Sequence, residues 1–361
     1  MEIIGGNKMK NKISMNLQRF AKATILDLFS NKLVLDYTRN REYAELLGET
    51  LFPERKTDSL ELEQINGGSR IPVIASVHAW DTEAEIGSRE ASKMGLDLAL
   101  VKRKLPLKEK DIIALENPRT PAEQKYLMEQ VYNDIDVLVQ GVRARAEKMR
   151  MEVLANGTVS LDENGIKATI DYNVPSEHKE VLAGTATWDN EASDPLADIE
   201  RWVDALDVTP TRALTSKKVY RLLMRHPKVV AAVFGKDTGR VVSIDDFDAF
   251  MTAHGFPIFR TYDVKYKKQA ANGTYTSERY FPENKIAFFN DDLLGETIYG
   301  PTAEEIRLTR DPSIETGMVG NVFTCVYEEG ADPVSTWKKA VATVLPSFAA
   351  ADEVFQAQPI A

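Results

Sequence analysis

The sequence predicts an α+β fold, and three observations predict it. A single amphipathic segment of about 30 residues has a clear start signal and an unbroken apolar stripe. Alternating hairpin patterns lie on both sides of it. The second half of the chain is a run of short helices and strands that reads as a compact lobe. The chain has 361 residues. Single cores stop growing near ~250–300 residues, so two lobes plus extended pieces are expected.

The long helix is the strongest local signal. Thr120-Pro121-Ala122-Glu123 fits a capping box with proline at the first helical position. Leu127, Val131, Ile135, Leu138, Val142, Ala146, Met149 and Val153 then recur at spacings of four and three. They line one face of a helix ~45 Å long. The other face carries Asp134, Asp136, Gln140, Arg143, Glu147 and Arg150, and Asn156-Gly157 ends the segment. A stripe of this length fits a coiled coil or packing on a sheet, the sheet at least as well.

Upstream, residues 16–50 hold apolar clusters without one period, as in an arm that docks on something else. A short helix is expected near Arg41–Leu47, stopped by Pro53. Residues 70–107 read as one long hairpin. Leu96, Leu98 and Leu100 alternate in one arm, and Ile71, Val73, Val77 and Ala79 less cleanly in the other. The charged tip is Asp81 to Glu90; with so little core, such a hairpin needs a partner surface.

Downstream, Val159 and Leu161 are expected to pair with Ile166, Ala168, Ile170 and Tyr172 around a turn at 162–165. Asp194-Pro195 opens a helix through Leu196, Ile199, Val203 and Leu206, and another covers Ser216–Arg225. Val229–Phe234 reads as a strand, and Ser243–His254 as a helix closed by Gly255. Strands are expected at Phe256–Lys267, Thr274–Tyr280, Lys285–Phe289, Val319–Tyr327 and Thr336–Leu345.

Candidate chemistry is sparse. The formal net charge is −10, so counterion release on nucleic acid offers little and no specific nucleic-acid binding is expected. The lone Cys325 excludes a disulfide framework and reads as a buried small residue. No apolar run approaches the ~20 residues of a membrane helix. His78, His178, His226 and His254 show no paired helical spacing, and surface or helix-end roles are expected. Gly235 to Gly239 resembles a phosphate loop but has Asp237 where serine or threonine is needed, so a polar turn is expected. Lys102-Arg103-Lys104 reads as a solvated strand edge or a subunit contact. Asp245-Asp246 suits a helix N-terminus and Asp291-Asp292 a loop. No catalytic, cofactor or metal residue is nominated.

Tyr43-Ala44-Glu45-Leu46-Leu47-Gly48-Glu49-Thr50-Leu51-Phe52-Pro53, Leu60 to Ile65, Asp194 to Glu200, and Tyr280-Phe281-Pro282-Glu283-Asn284-Lys285 with Tyr299-Gly300 occur in an order that resembles the phage major capsid protein E family, which includes the lambda-type head protein. The resemblance runs from about Glu42 to the C-terminus. It implies the HK97-like capsid fold: an N-terminal arm (1–62), an E-loop with flanking strands (63–110), a peripheral domain with a spine helix (111–199), an axial domain (200–330) and a C-terminal return to the peripheral domain (331–361). Asp81, Glu83, Glu85, Ile86, Arg89 and Glu90 would form the intersubunit E-loop tip.

The resemblance further implies hexamers and pentamers of an icosahedral shell in the virion, assembled in a bacterial cytoplasm with a portal. No long coiled-coil segment precedes the arm, so a separate scaffolding protein is implied; decoration proteins are common in the lambda type. Two alternatives stay open: an encapsulin-like nanocompartment shell on the same fold, and an α+β enzyme whose site is assembled from scattered residues.

Overall fold

The computed structural model describes residues 43–66, 92–163, 165–236, 239–270, 272–311, 314–329 and 335–361. Helix α1 (Leu47–Leu51) and strand β1 (Glu54–Lys56) open the described chain, so the helix begins where the expected one at 41–47 ended. Strand β2 (Glu61–Asn66) pairs antiparallel with β3 (Ser92–Asp97), Glu61 opposite Asp97. These two strands form the base of a hairpin. Its expected strand 71–79 and its tip 81–90 lie outside the described residues. The chain leaves the hairpin at Leu98. Strand β4 (Ala99–Leu107) belongs to a different sheet, so Leu96 and Leu100 are not on one hairpin arm.

After the short α2 (Glu109–Glu116) comes α3 (Pro121–Asn156), 36 residues long. The Thr120 hydroxyl accepts the Glu123 N–H at 3.2 Å. The Glu123 carboxylate reaches one residue beyond the box and accepts the Arg119 N–H at 2.8 Å. At the other end Gly157 takes φ +70°, and its N–H returns to the Val153 carbonyl at 2.8 Å. A side chain there would also strike Val174. All eight stripe residues are buried.

The stripe packs on a sheet. Strands β13 (Thr297–Gly300), β14 (Glu315–Val319), β15 (Val322–Glu329) and β16 (Ser335–Pro346) join β1 in the order β1-β13-β16-β15-β14, and β4 pairs along β16. Gly320 (φ +57°) turns β14 into β15, where one strand was expected. Adjacent residues on β16 point to opposite faces. Lys338 reaches Asp134 of α3, and Lys339 reaches Glu304 of α8 (Ala303–Leu308) at 2.6 Å. The sheet is therefore sandwiched between α3 and α8. The hairpin β5 (Thr158–Glu163) with β6 (Ile166–Asp171) follows α3 as expected.

Burial pushes the Glu304 carboxyl up, but the ammonium groups of Lys339 and Lys102, at 2.6 and 2.9 Å, together hold it down to about 2. A carboxyl depressed on folding stabilises above its unfolded pKa and loses that contribution as pH falls towards the folded one. Glu304→Gln should therefore melt lower than the parent at pH 6. The difference should close between about pH 4.5 and 2. A gap that is constant with pH, read by circular dichroism melts, would contradict this account.

A second core surrounds a five-stranded sheet in the order β7-β17-β12-β8-β9. Its strands are β7 (Lys179–Val181), β8 (Arg212–Thr215), β9 (Ile258–Thr261), β12 (Ile286–Phe289) and β17 (Phe355–Gln358). Helices α4 (Pro195–Asp204), α5 (Lys217–Arg225), α6 (Pro227–Phe234) and α7 (Ile244–Ala253) supply the rest. Trp202 stacks between Trp188 and Phe355 at ring distances of 5.5 and 5.8 Å. Strands β10 (Lys265–Gln269) and β11 (Tyr275–Arg279) form a hairpin that reaches back to the first core, where Lys268 pairs with Glu163 at 3.3 Å. The single strand expected over 256–267 is thus split between β9 and β10.

The structure corrects the strand expected at Val229–Phe234: this is helix α6. Pro227 opens it, the His226 ring accepts the Lys228 N–H at 3.3 Å, and Gly235 follows it. Within 200–330, β13 to β15 belong to the first sheet; within 331–361, β17 belongs to the second.

Candidate assembly surfaces and the junction between the cores

The polar face of α3 is partly buried. Glu147 and Arg150 are fully buried and Asp136 nearly so. The segment 43–56 covers them. One Glu147 oxygen accepts the Gly48 N–H at 3.0 Å and the Tyr262 hydroxyl at 2.8 Å; the other accepts Arg150 at 3.3 Å. The Arg150 guanidinium also donates to Thr297 at 2.7 Å and to Glu54 at 3.0 Å. Arg143 grips Glu49 with bonds of 2.8 and 2.9 Å to its two oxygens. Burial, and then the Glu147 charge, pushes the Tyr262 hydroxyl above its ordinary range, so it stays a donor.

This cluster is a junction. It ties the segment holding α1 and β1 to the long helix α3, to β13 through Thr297, and to the second sheet through Tyr262, which follows β9. Gly48 sits so close that a Cβ would overlap the Glu147 carboxylate. A buried pair of this kind is no guarantee of net stability, but removing one partner leaves the other charge stranded.

The other flagged residues have structural employment. His226 caps α6 and contacts the Ser193 hydroxyl at 3.2 Å; it is buried, as is His178. His254 lies against the Phe250 ring at 4.2 Å, while His78 is outside the described residues. Cys325 is buried in β15, and burial pushes its thiol up to about 11, so it holds its proton. Asp246 completes a capping box with Ser243 at the start of α7. Asp291 pairs with Arg212. Lys102 pairs with Glu304, Arg103 with Gln269, and Lys104 lies 3.9 Å over the Trp337 ring, which makes the basic run an internal tether at a sheet edge. The turn after α6 begins at Gly235 (φ +89°); Asp237 and Thr238 lie outside the described residues. Among the described residues, no group of three His, Cys, Asp or Glu could hold a metal ion, and no helix is long and apolar enough to cross a membrane. The six E-loop tip residues, Asp81, Glu83, Glu85, Ile86, Arg89 and Glu90, also lie outside the described residues; only the strands leading to them are placed.

The profile of the phage major capsid protein E family matches residues 34–358. The chain belongs to that family. No curated protein matches it in sequence. Its fold is similar to that of an E. coli CFT073 prophage protein assigned as a capsid protein, with 15% identity, a TM-score of 0.60, and coverage of 92% of this chain and 98% of that one. It is also similar to a phage-related protein of Bordetella bronchiseptica RB50, with 11% identity, a TM-score of 0.51, and coverage of 91% and 96%. At these identities the likeness speaks to fold. The fold of this family member is the HK97-like one the sequence led us to expect, and the arrangement behind it is the long helix on one sheet with a second α/β core beside it. Neither alternative, nanocompartment or enzyme, is favoured by these comparisons.

Proposed function

We propose that this phage major capsid protein E family member assembles as hexamers and pentamers into the icosahedral shell of a virion, and carries out no catalysis. The single observation that carries this reading is the family match across nearly the whole described chain. The employment of Cys325, His226 and His254 in packing and capping supports the absence of a catalytic step. In this reading α3 is the spine of the peripheral domain, the five-stranded core is the axial domain, and the loop above β2 and β3 is the intersubunit E-loop. A separate scaffolding protein and a portal would act with it in the host cytoplasm.

The experiment shortens residues 81–90 to a Gly-containing turn. The expected product is a soluble, folded subunit that no longer closes into shells. Circular dichroism and melting check the fold, while negative-stain microscopy and sedimentation check assembly. Normal shells from the shortened protein would refute the E-loop assignment.

A further inference from the structure

We propose that neighbouring copies of this chain meet through a row of cations on α5 of one copy and a row of carboxylates on α4 of the next, so that the second core closes head-to-tail rings. This rests on the capsid reading above. Lys217, Arg221 and Arg225 lie four residues apart on α5, which has no acidic residue, and all three are exposed. None of the three side chains has a carboxylate partner among the described residues, although the Lys217 N–H donates to the Asp263 carboxylate at 2.9 Å and the chain's net charge is −10. Like charges four apart weaken a helix, so the row costs stability within the monomer. It lines an open groove of about 770 Å³ beside Trp188 and Leu222; of the carboxylates that also line it, Asp263 and Glu283 pair with Arg279, and Asp189 and Glu191 do not pair with the side chains of the row.

The counterpart is on α4. Glu200 and Asp204 are exposed, four residues apart, and have no cation partner among the described residues. Arg201, between them in sequence, turns instead to Glu180 at 2.8 Å and Asp198 at 3.0 Å. The two rows lie on helices held at different strands of the second sheet. Helix α4 is held at β7 through the bonds of Arg201 and Trp202 to Glu180. Helix α5 is held at β9, where Tyr220 stacks on Phe259 at 6.4 Å. Strands β7 and β9 are the two edges of the five-stranded sheet. Four strand spacings of ~4.8 Å separate those edges by ~19 Å. The rows do not pair with each other within the subunit, among the described residues.

In a heterologous contact they can, and such a contact forms rings when its rotation closes. Both rows step ~6 Å per four residues, so Arg221 and Arg225 match Glu200 and Asp204 in spacing. Electrostatic contacts of this kind fix partner orientation and register more than they add affinity.

The test uses the full chain in three variants. Arg221→Glu/Arg225→Glu and Glu200→Arg/Asp204→Arg should each remain a folded subunit by circular dichroism and lose capsomers and shells in sedimentation and negative stain. The chain carrying all four substitutions should regain them. Wild-type assembly should also fall as salt rises. Shells from either reversed chain alone, or no assembly from the four-fold variant, overturns the proposal. Should reversal unfold the subunit, Arg221→Gln/Arg225→Gln gives the same reading of assembly. A wild-type chain that forms no capsomers would instead overturn the capsid reading itself.

Discussion

Leu138→Asp should abolish the soluble subunit. Leu138 is fully buried near the middle of α3, on the stripe that packs against β16 and β4. Removing the leucine side chain from such a site costs roughly 2–5 kcal/mol. Burying a carboxylate without a partner costs several more, or forces it to take up a proton. Domain stabilities are about 5–15 kcal/mol in total, so the sum is comparable to the whole. The neighbouring Val137 is 52% exposed. Val137→Asp should therefore change stability by only about 0.5 kcal/mol. Soluble yield and urea unfolding of the two variants form the comparison. Equal behaviour of both would show that the stripe is not buried against the sheet.

Arg150→Met should destabilise by about 3–5 kcal/mol, because it strands Glu147 without a counter-charge in a fully buried site. Adding Glu147→Leu removes the stranded charge and should recover part of the loss. Recovery should stop short of full, since the Gly48 N–H and the Tyr262 hydroxyl both lose their acceptor. An unsatisfied buried donor costs roughly 1–3 kcal/mol. Denaturant midpoints of the single and double variants measure this. A double variant as weak as Arg150→Met alone would show that the stranded carboxylate is not the cause.

Local chemistry made the main helix legible, since Thr120, Pro121 and Gly157 mark its ends and its stripe has one period. The period alone does not show that Glu147 and Arg150, on the other face, are buried. Ala146, Met149, Met151, Val153, Leu154 and Ala155 leave the helix apolar nearly all round at that end, which signals burial on every side. Val229–Phe234 failed for another reason. Six consecutive apolar residues have no period, and the deciding signals were the His226-Pro227 start and the Gly235 stop just outside the run. Strand β4 could not be assigned locally, because its partner Thr336–Val344 lies more than two hundred residues away. The order of quoted segments, by contrast, was enough to point to the family, while the junction needed three-dimensional proximity between Gly48, Glu147, Thr297 and Tyr262.

Strand β17 sits between β7 and β12, parallel to the first and antiparallel to the second. It is translated after the other four strands of its sheet, and β7 has no other partner there among the described residues. Phe355 and Ala357 fill the core beneath α4, and the Trp188 N–H waits for the Pro359 carbonyl at 2.9 Å. A chain still on the ribosome, short of this segment, has a split sheet and an unsupported α4. The flank that carries Glu200 and Asp204 is then not yet in place. The second core is thus completed only when β17 enters its sheet.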